Sequence, residues 1–170
     1  MPDLSAFELR EALGDGPLAL VSCLSFEDRS LAVAAEIASL NLTRWFCIEN
    51  EDIETDITEM RQRAVGIAEQ AGIEIEFLIA SKRNPLLLAD AMVAIADGIE
   101  GEAGVQWVAD VTTMTHEMAL VTVAAAEELI PTWSDLTFVY NVAGQYSGND
   151  EVTQKWISRG IHEVRSVIGY

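Results

Sequence analysis

Apolar and polar positions follow two rhythms along this chain. Short, nearly continuous apolar runs alternate with longer segments whose apolar residues recur every three or four positions. The first pattern predicts buried strands and the second predicts amphipathic helices. The runs "LALVSCL" (18–24), "TRWFCIE" (43–49), "IEIEFLIA" (73–80), "VQWVADV" (105–111) and "LTFVYNV" (136–142) read as strands. Helices are expected at 3–13, 29–40, 56–71, 85–99, 117–129 and 151–168. In the third, Ile57, Met60, Ala64, Ile67 and Ala71 line one face. Asn84 reads as the N-cap of the fourth, with Pro85 in its first turn. In the last, Val152, Trp156, Ile157, Ile161, Val164 and Ile168 share a face, although Gly160 costs that helix roughly 1 kcal/mol against alanine.

Strand–helix alternation of this kind predicts an α/β fold with a mainly parallel sheet covered on both faces. The expected architecture is a three-layer, Rossmann-like single domain over residues 1–170, with five strands and no repeat or linker. The strands can be ranked by burial. "LALVSCL" is wholly apolar or small and suits the interior. "IEIEFLIA" alternates, with Glu74 and Glu76 pointing one way, and suits an edge. Placing the third strand at the edge gives the order 3-2-1-4-5. The sheet then reverses direction between strands 1 and 4, and ligands in open α/β sheets bind beyond the carboxyl ends of strands at such a point.

Composition narrows the partners. The formal charge is −18 and half of the residues are hydrophobic. So acidic a surface repels nucleic-acid backbones and anionic membranes, which disfavours nonspecific binding to either. A small anion in a local basic pocket remains compatible with it. Cys23 and Cys47 each sit inside an apolar run, as buried free thiols do in a reducing compartment. The N-terminus lacks the apolar core of a signal peptide, and "MALVTVAAAEELI" is too short to span a bilayer. A cytoplasmic protein is expected.

Two polar strand–helix junctions fall where the topology predicts a crevice: "SFEDRS" (25–30) after strand 1 and "DVTTMTHE" (110–117) after strand 4. Ser25 and Asp28 form S-x-x-D, close to a capping box. Arg29 opposes the helix dipole at a helix start, so it gains from an anionic partner: Glu27, Asp110 or a ligand phosphate. Ser30 is placed to donate beside it. Asp110 closes an apolar strand, where a carboxylate is costly unless paired or hydrogen-bonded. It either fixes the adjacent loop through backbone N–H groups or serves as a ribose acceptor, metal ligand or catalytic carboxylate. Thr112, Thr113 and Thr115 offer hydroxyls, with Thr115 the expected N-cap. His116 is either a surface histidine or an acid–base group. Glu49 and Asn50 end strand 2, and Lys82 and Arg83 end strand 3. Strand 5 ends in the glycine-containing "YNVAGQYSGND", where Asn141, Gln145 and Tyr146 are placed to cover a base or sugar. No G-x-G-x-x-G, P-loop or G-x-S-x-G motif occurs, and no metal ligands are assigned.

The segments "CLSFEDRS", "DVTTMTHE" and "WISRGIHEVRSVIGY" together resemble bacterial Rossmann-like domains of phage-defence and other conflict systems. More broadly, the layout is similar to CARF, SLOG, TIR and nucleoside deoxyribosyltransferase-like folds. That resemblance implies nucleotide binding or N-glycosidic bond cleavage at this sheet edge, and it carries no catalytic residue across.

Four functions compete. The first is a sensor domain for a nucleotide-like anion, in which Ser25, Arg29, Ser30, Lys82, Thr112, Thr113, Thr115, Asn141 and Tyr146 bind the ligand. The second is an enzyme cleaving or transferring an N-glycosidic bond with Asp110, Glu27 and His116. The third is a magnesium-dependent nuclease using Asp110, Glu27, Asp28 and Glu49. The fourth is a non-catalytic interaction module, pairing with itself through a helix such as 117–130 or with another protein. The first is favoured. No cofactor is assigned, and whether the chain is an enzyme stays open.

Overall fold

A computed structural model of the chain describes residues 11, 13–52, 55–81, 83–99, 104–129, 136–146 and 158–167. Its elements are β1 (Leu18–Leu24), α1 (Arg29–Ala38), β2 (Leu42–Asn50), α2 (Thr58–Ala71), β3 (Glu74–Ala80), α3 (Pro85–Ile99), β4 (Gln106–Asp110), α4 (His116–Leu129), β5 (Leu136–Tyr146) and β6 (Ser158–Val167). The sheet order is β3-β2-β1-β4-β5-β6. The first five strands are parallel in the order 3-2-1-4-5 read from the sequence.

β1 is buried at all seven positions because helices cover it on both sides. Leu18, Leu20 and Leu24 join Leu31, Val33, Ala34 and Ile37 of α1 and Ala64 and Ala68 of α2 in one core. Ala19, Val21 and Cys23 join Leu88, Met92 and Ile95 of α3 and Met118 of α4 in the other. This division follows from right-handed crossovers. Moving from β1 out to β3 puts α1 and α2 on one face, and returning past β1 puts α3 and α4 on the opposite face. β3 takes the edge, and its Glu74, Glu76 and Ile79 are exposed.

Local chemistry sets the helix ends. Asn84 Oδ1 accepts the Leu86 N–H at 3.3 Å and caps α3. Gly72 ends α2 at φ 69°, donating back to the carbonyls of the last turn. Side chains rarely adopt that left-handed conformation, so glycine is favoured there. Of the N-terminal helix expected at 3–13, only Glu11 and Leu13 lie within the described residues. Leu13 is buried in the α1–α2 core.

The C-terminal expectation is corrected. Residues 158–167 form a strand antiparallel to β5 rather than part of a helix over 151–168. Gly160 weakens a helix there, and Ile161, Val164 and Val167 favour a pleated backbone. Pairing also covers the edge that β5 would otherwise expose. β5 itself runs on through Tyr146, so residues 143–146, expected as loop, are strand. Val152, Trp156, Ile157 and Ile168 lie outside the described residues.

One polar contact is sealed into the core. The Trp45 indole N–H donates to Ser22 Oγ at 2.8 Å. Ser22 Oγ donates in turn toward Cys47 Sγ at 4.0 Å. Burial pushes the Cys47 thiol well above its ordinary range and Cys23 up to about 12, with the Asp110 charge adding to the latter. Both thiols stay neutral and unreactive at physiological pH. Replacing Ser22 by alanine leaves the buried indole N–H without its acceptor, at an expected cost of about 1–3 kcal/mol. Urea unfolding of Ser22→Ala checks this. The midpoint should drop with the slope unchanged, and an unmoved midpoint would show that the contact contributes nothing.

Candidate functional site

β1 and β4 lie side by side and parallel, with Val21 opposite Ala109. After β1 the chain turns to α1 on one face. After β4 it turns to α4 on the other. The two connections therefore separate at the carboxyl end of the sheet, and Asp110 ends β4 at that opening.

Asp110 is completely buried. Its Oδ1 accepts the Thr112 backbone N–H at 3.0 Å and also the Thr112 hydroxyl. Its Oδ2 is buried with no hydrogen-bond partner among the described residues. Burial dominates the electrostatics and pushes the carboxyl up from an ordinary 3.8 to about 7. The two Thr112 hydrogen bonds and the positive charge of Arg29 offset part of that rise. Asp110 thus fixes its own loop through Oδ1, as one of the two sequence readings has it, while Oδ2 has no hydrogen-bond partner among the described residues.

The rest of the β4–α4 loop is pinned to the sheet. The Thr113 hydroxyl donates to the Cys23 carbonyl at the end of β1. The Val111 N–H donates to the Val139 carbonyl of β5 at 3.0 Å. Thr115 Oγ1 accepts the Met118 N–H at 3.2 Å, the N-cap geometry expected for it. His116 and Glu117 follow in the first turn of α4, both exposed.

On the β1 side, Arg29 is held by its neighbour. Its Nε donates to Glu27 Oε2 at 2.6 Å, and its Nη2 lies 2.5 Å from the same oxygen. The two side chains are only 13% and 15% exposed. The pair is largely shielded from solvent, and the Arg29 charge reaches Asp110 across the opening. Ser25 is buried, and its Oγ accepts the Glu27 N–H at 3.5 Å. No capping box forms from Ser25 and Asp28. Asp28 precedes α1 without a side-chain cap bond, and its Oδ2 lies 3.8 Å from Arg63 Nη2. Ser30 is buried in the first turn of α1.

The outer strand ends carry different chemistry. Glu49 is bound by Arg61 at 2.8 and 3.0 Å, and Arg61 lies 4.2 Å over the Phe77 ring. Asp52 gathers the ends of β2 and β3. It accepts the Ser81 hydroxyl at 2.7 Å and the Arg83 N–H at 3.3 Å, and pairs with Arg83 Nε at 3.4 Å. Sequence reasoning missed this role of Asp52. The exchange partner lies about thirty residues away, and only the β2–β3 register brings the two together. Lys82 lies outside the described residues. Asn141 and Tyr146 are on β5, opposite Val164 and Ser158 of β6, with side chains outside the described set, as is that of Gln145. Among the described residues no group of three or more His, Cys, Asp or Glu side chains is placed to hold a metal ion.

No protein-family model matches the chain, and no curated protein matches it in sequence. Its fold matches solved structures. One is Can2 from Sulfobacillus thermosulfidooxidans, in complex with cyclic tetra-adenylate, at a TM-score of 0.54 and 16% identity. The match covers 78% of this chain and 34% of that one, so the chain spans about a third of Can2. At this identity the likeness is one of fold.

Asp110 also links protonation to stability. Its carboxyl holds a proton more tightly in the folded chain than in the unfolded one. Its contribution is therefore full below about pH 4 and is lost as pH rises to about 7. The whole effect is on the order of 4 kcal/mol. Asp110→Asn cannot ionise. Its unfolding free energy minus that of the wild type should increase between pH 5 and 8 in denaturant titrations. A difference independent of pH would mean that Asp110 titrates normally.

Proposed function

We propose that this domain is a sensor that binds a nucleotide-like anion at the opening between the β1 and β4 connections. The observation that carries the reading is the buried Asp110 Oδ2, unpartnered among the described residues and electrostatically coupled to Arg29. The N-termini of α1 and α4 flank the same opening and add partial positive charge. In this reading Arg29 meets a phosphate, while Asp110 exchanges a hydrogen bond with a ribose hydroxyl. Ser25, Ser30, Thr112, Thr113 and Thr115 shape the two loops. Lys82, Asn141 and Tyr146 are the further ligand contacts this reading assigns.

The ligand class is supported by Can2, a chain of the same fold whose structure holds cyclic tetra-adenylate. It fits the resemblance to defence-system domains, and cyclic oligoadenylates are the first ligands to test. Cleavage of an N-glycosidic bond has less support, because Glu27 is committed to Arg29 and His116 is exposed on α4.

The Glu27–Arg29 pair supplies a discriminating test. An incoming phosphate competes with Glu27 for the guanidinium, so removing the carboxylate should favour the ligand. Thermal shift with cyclic tetra-adenylate should show stabilisation of the wild type, a larger shift for Glu27→Gln and none for Arg29→Ala. Equal shifts in all three would place the ligand elsewhere, and no shift with cyclic tetra-adenylate, NAD or other nucleotides would remove the proposal.

Binding should also depend on pH. A phosphate beside Arg29 cancels the positive charge that holds the Asp110 carboxyl down, so binding favours its protonated form. The Kd for cyclic tetra-adenylate should therefore rise between pH 6 and 8 in the wild type and stay flat in Asp110→Asn. Calorimetric titration across that range measures both, and equal pH dependence in the two proteins would exclude Asp110 from the site.

A further inference from the structure

We infer that the outer face of α3 and α4 is a docking surface for a basic amphipathic segment of a partner protein. The inference stands apart from the ligand site. α3 buries Leu88, Met92 and Ile95 against the sheet. Its opposite side presents Leu86, Asp90, Val93 and Asp97, all exposed. Their spacing places them in one stripe along the helix. Leu86 is 72% exposed and Val93 46%, and Leu120 of the neighbouring α4 is 71% exposed. Three large apolar side chains therefore stand in water on one helical layer, and exposed apolar groups of this size are what a protein partner can cover.

Charge identifies the occupant. From Asn84 to Gln154 the sequence holds eleven Asp and Glu residues and no Lys or Arg. The layer opposite is different. Arg61 and Arg63 of α2 lie against Glu49 and Asp28, and Arg29 of α1 against Glu27. The α3–α4 layer has no cation of its own to set against Asp90 and Asp97. A partner that supplies apolar residues to Leu86, Val93 and Leu120 and Lys or Arg to the two aspartates complements both features. A second copy of this chain would place acids against acids. Nucleic acid and anionic bilayers are repelled for the same reason.

The test uses a synthetic amphipathic helix with a leucine face flanked by lysines, and a control peptide with glutamates in place of the lysines. Fluorescence anisotropy at low and high salt reads the binding. The lysine peptide should bind and the glutamate peptide should not. Affinity should fall roughly tenfold in the double variant Asp90→Lys, Asp97→Lys, and by a similar factor in Leu86→Ser, Val93→Ser. A control double variant on α2, Glu59→Lys with Glu69→Lys, makes the same change in net charge on the opposite face and should bind as the wild type does. Equal weakening by both charge variants would reduce the effect to net charge and overturn the proposal. So would binding of the glutamate peptide, absence of any binding, or a concentration-dependent dimer abolished by Leu86→Ser, Val93→Ser. All substituted positions are exposed, and circular dichroism confirms that each variant is folded.

Discussion

The burial of one carboxyl group at the end of a central strand constrains everything around the opening of this sheet. Asp110 is inaccessible to solvent over its whole surface. One oxygen is satisfied by Thr112 within the same loop. The other has no donor among the described residues. A site in that state favours a proton, a cation or a hydrogen-bond donor, and the surroundings bias the choice. Arg29 supplies charge, but Glu27 restrains it. The arrangement is poised rather than closed. An anion that engages Arg29 also changes which protonation state of Asp110 is preferred.

That carboxyl occupies its position because the sheet turns round at β1. The chain builds outward to β3 and then returns to the other side of β1, so the connections after β1 and β4 leave on opposite faces. This much was legible in the sequence. The wholly apolar "LALVSCL" marked the centre, and the alternating glutamates of "IEIEFLIA" marked the edge. From those two strands the order of the parallel sheet follows. Thr115 as a cap and Asn84 as a cap were legible for the same kind of reason, since short polar side chains at a helix start have one dominant use.

Long-range pairing was not legible. Residues 158–167 carry spacings compatible with either a helix or a strand, and the free edge of β5 decided between them. Within the loop 25–30, capping chemistry suggested a role for Ser25 and Asp28 that geometry does not give them. Ser25 bonds within a tight turn and Asp28 faces Arg63. Arg83 and Glu49 read as groups available at the crevice. The structure commits them to Asp52 and Arg61. Asp28, Glu49 and Arg83 each found a charged partner on another part of the fold, which no local window of sequence contains. Arg29 is likewise paired, with Glu27, and its charge acts on Asp110, whose Oδ2 has no hydrogen-bond partner among the described residues.

If the two loops flanking the β1–β4 opening form one ligand site, both must respond together when ligand binds. Amide chemical shifts of the isotopically labelled chain, followed during titration with cyclic tetra-adenylate, test it most directly. Perturbed amides should cluster at residues 25–30 and 110–117, from both sides of the opening and at similar ligand concentrations. Perturbations confined to the α3–α4 face or to the β2–β3 edge, or a spectrum that does not change, would contradict it.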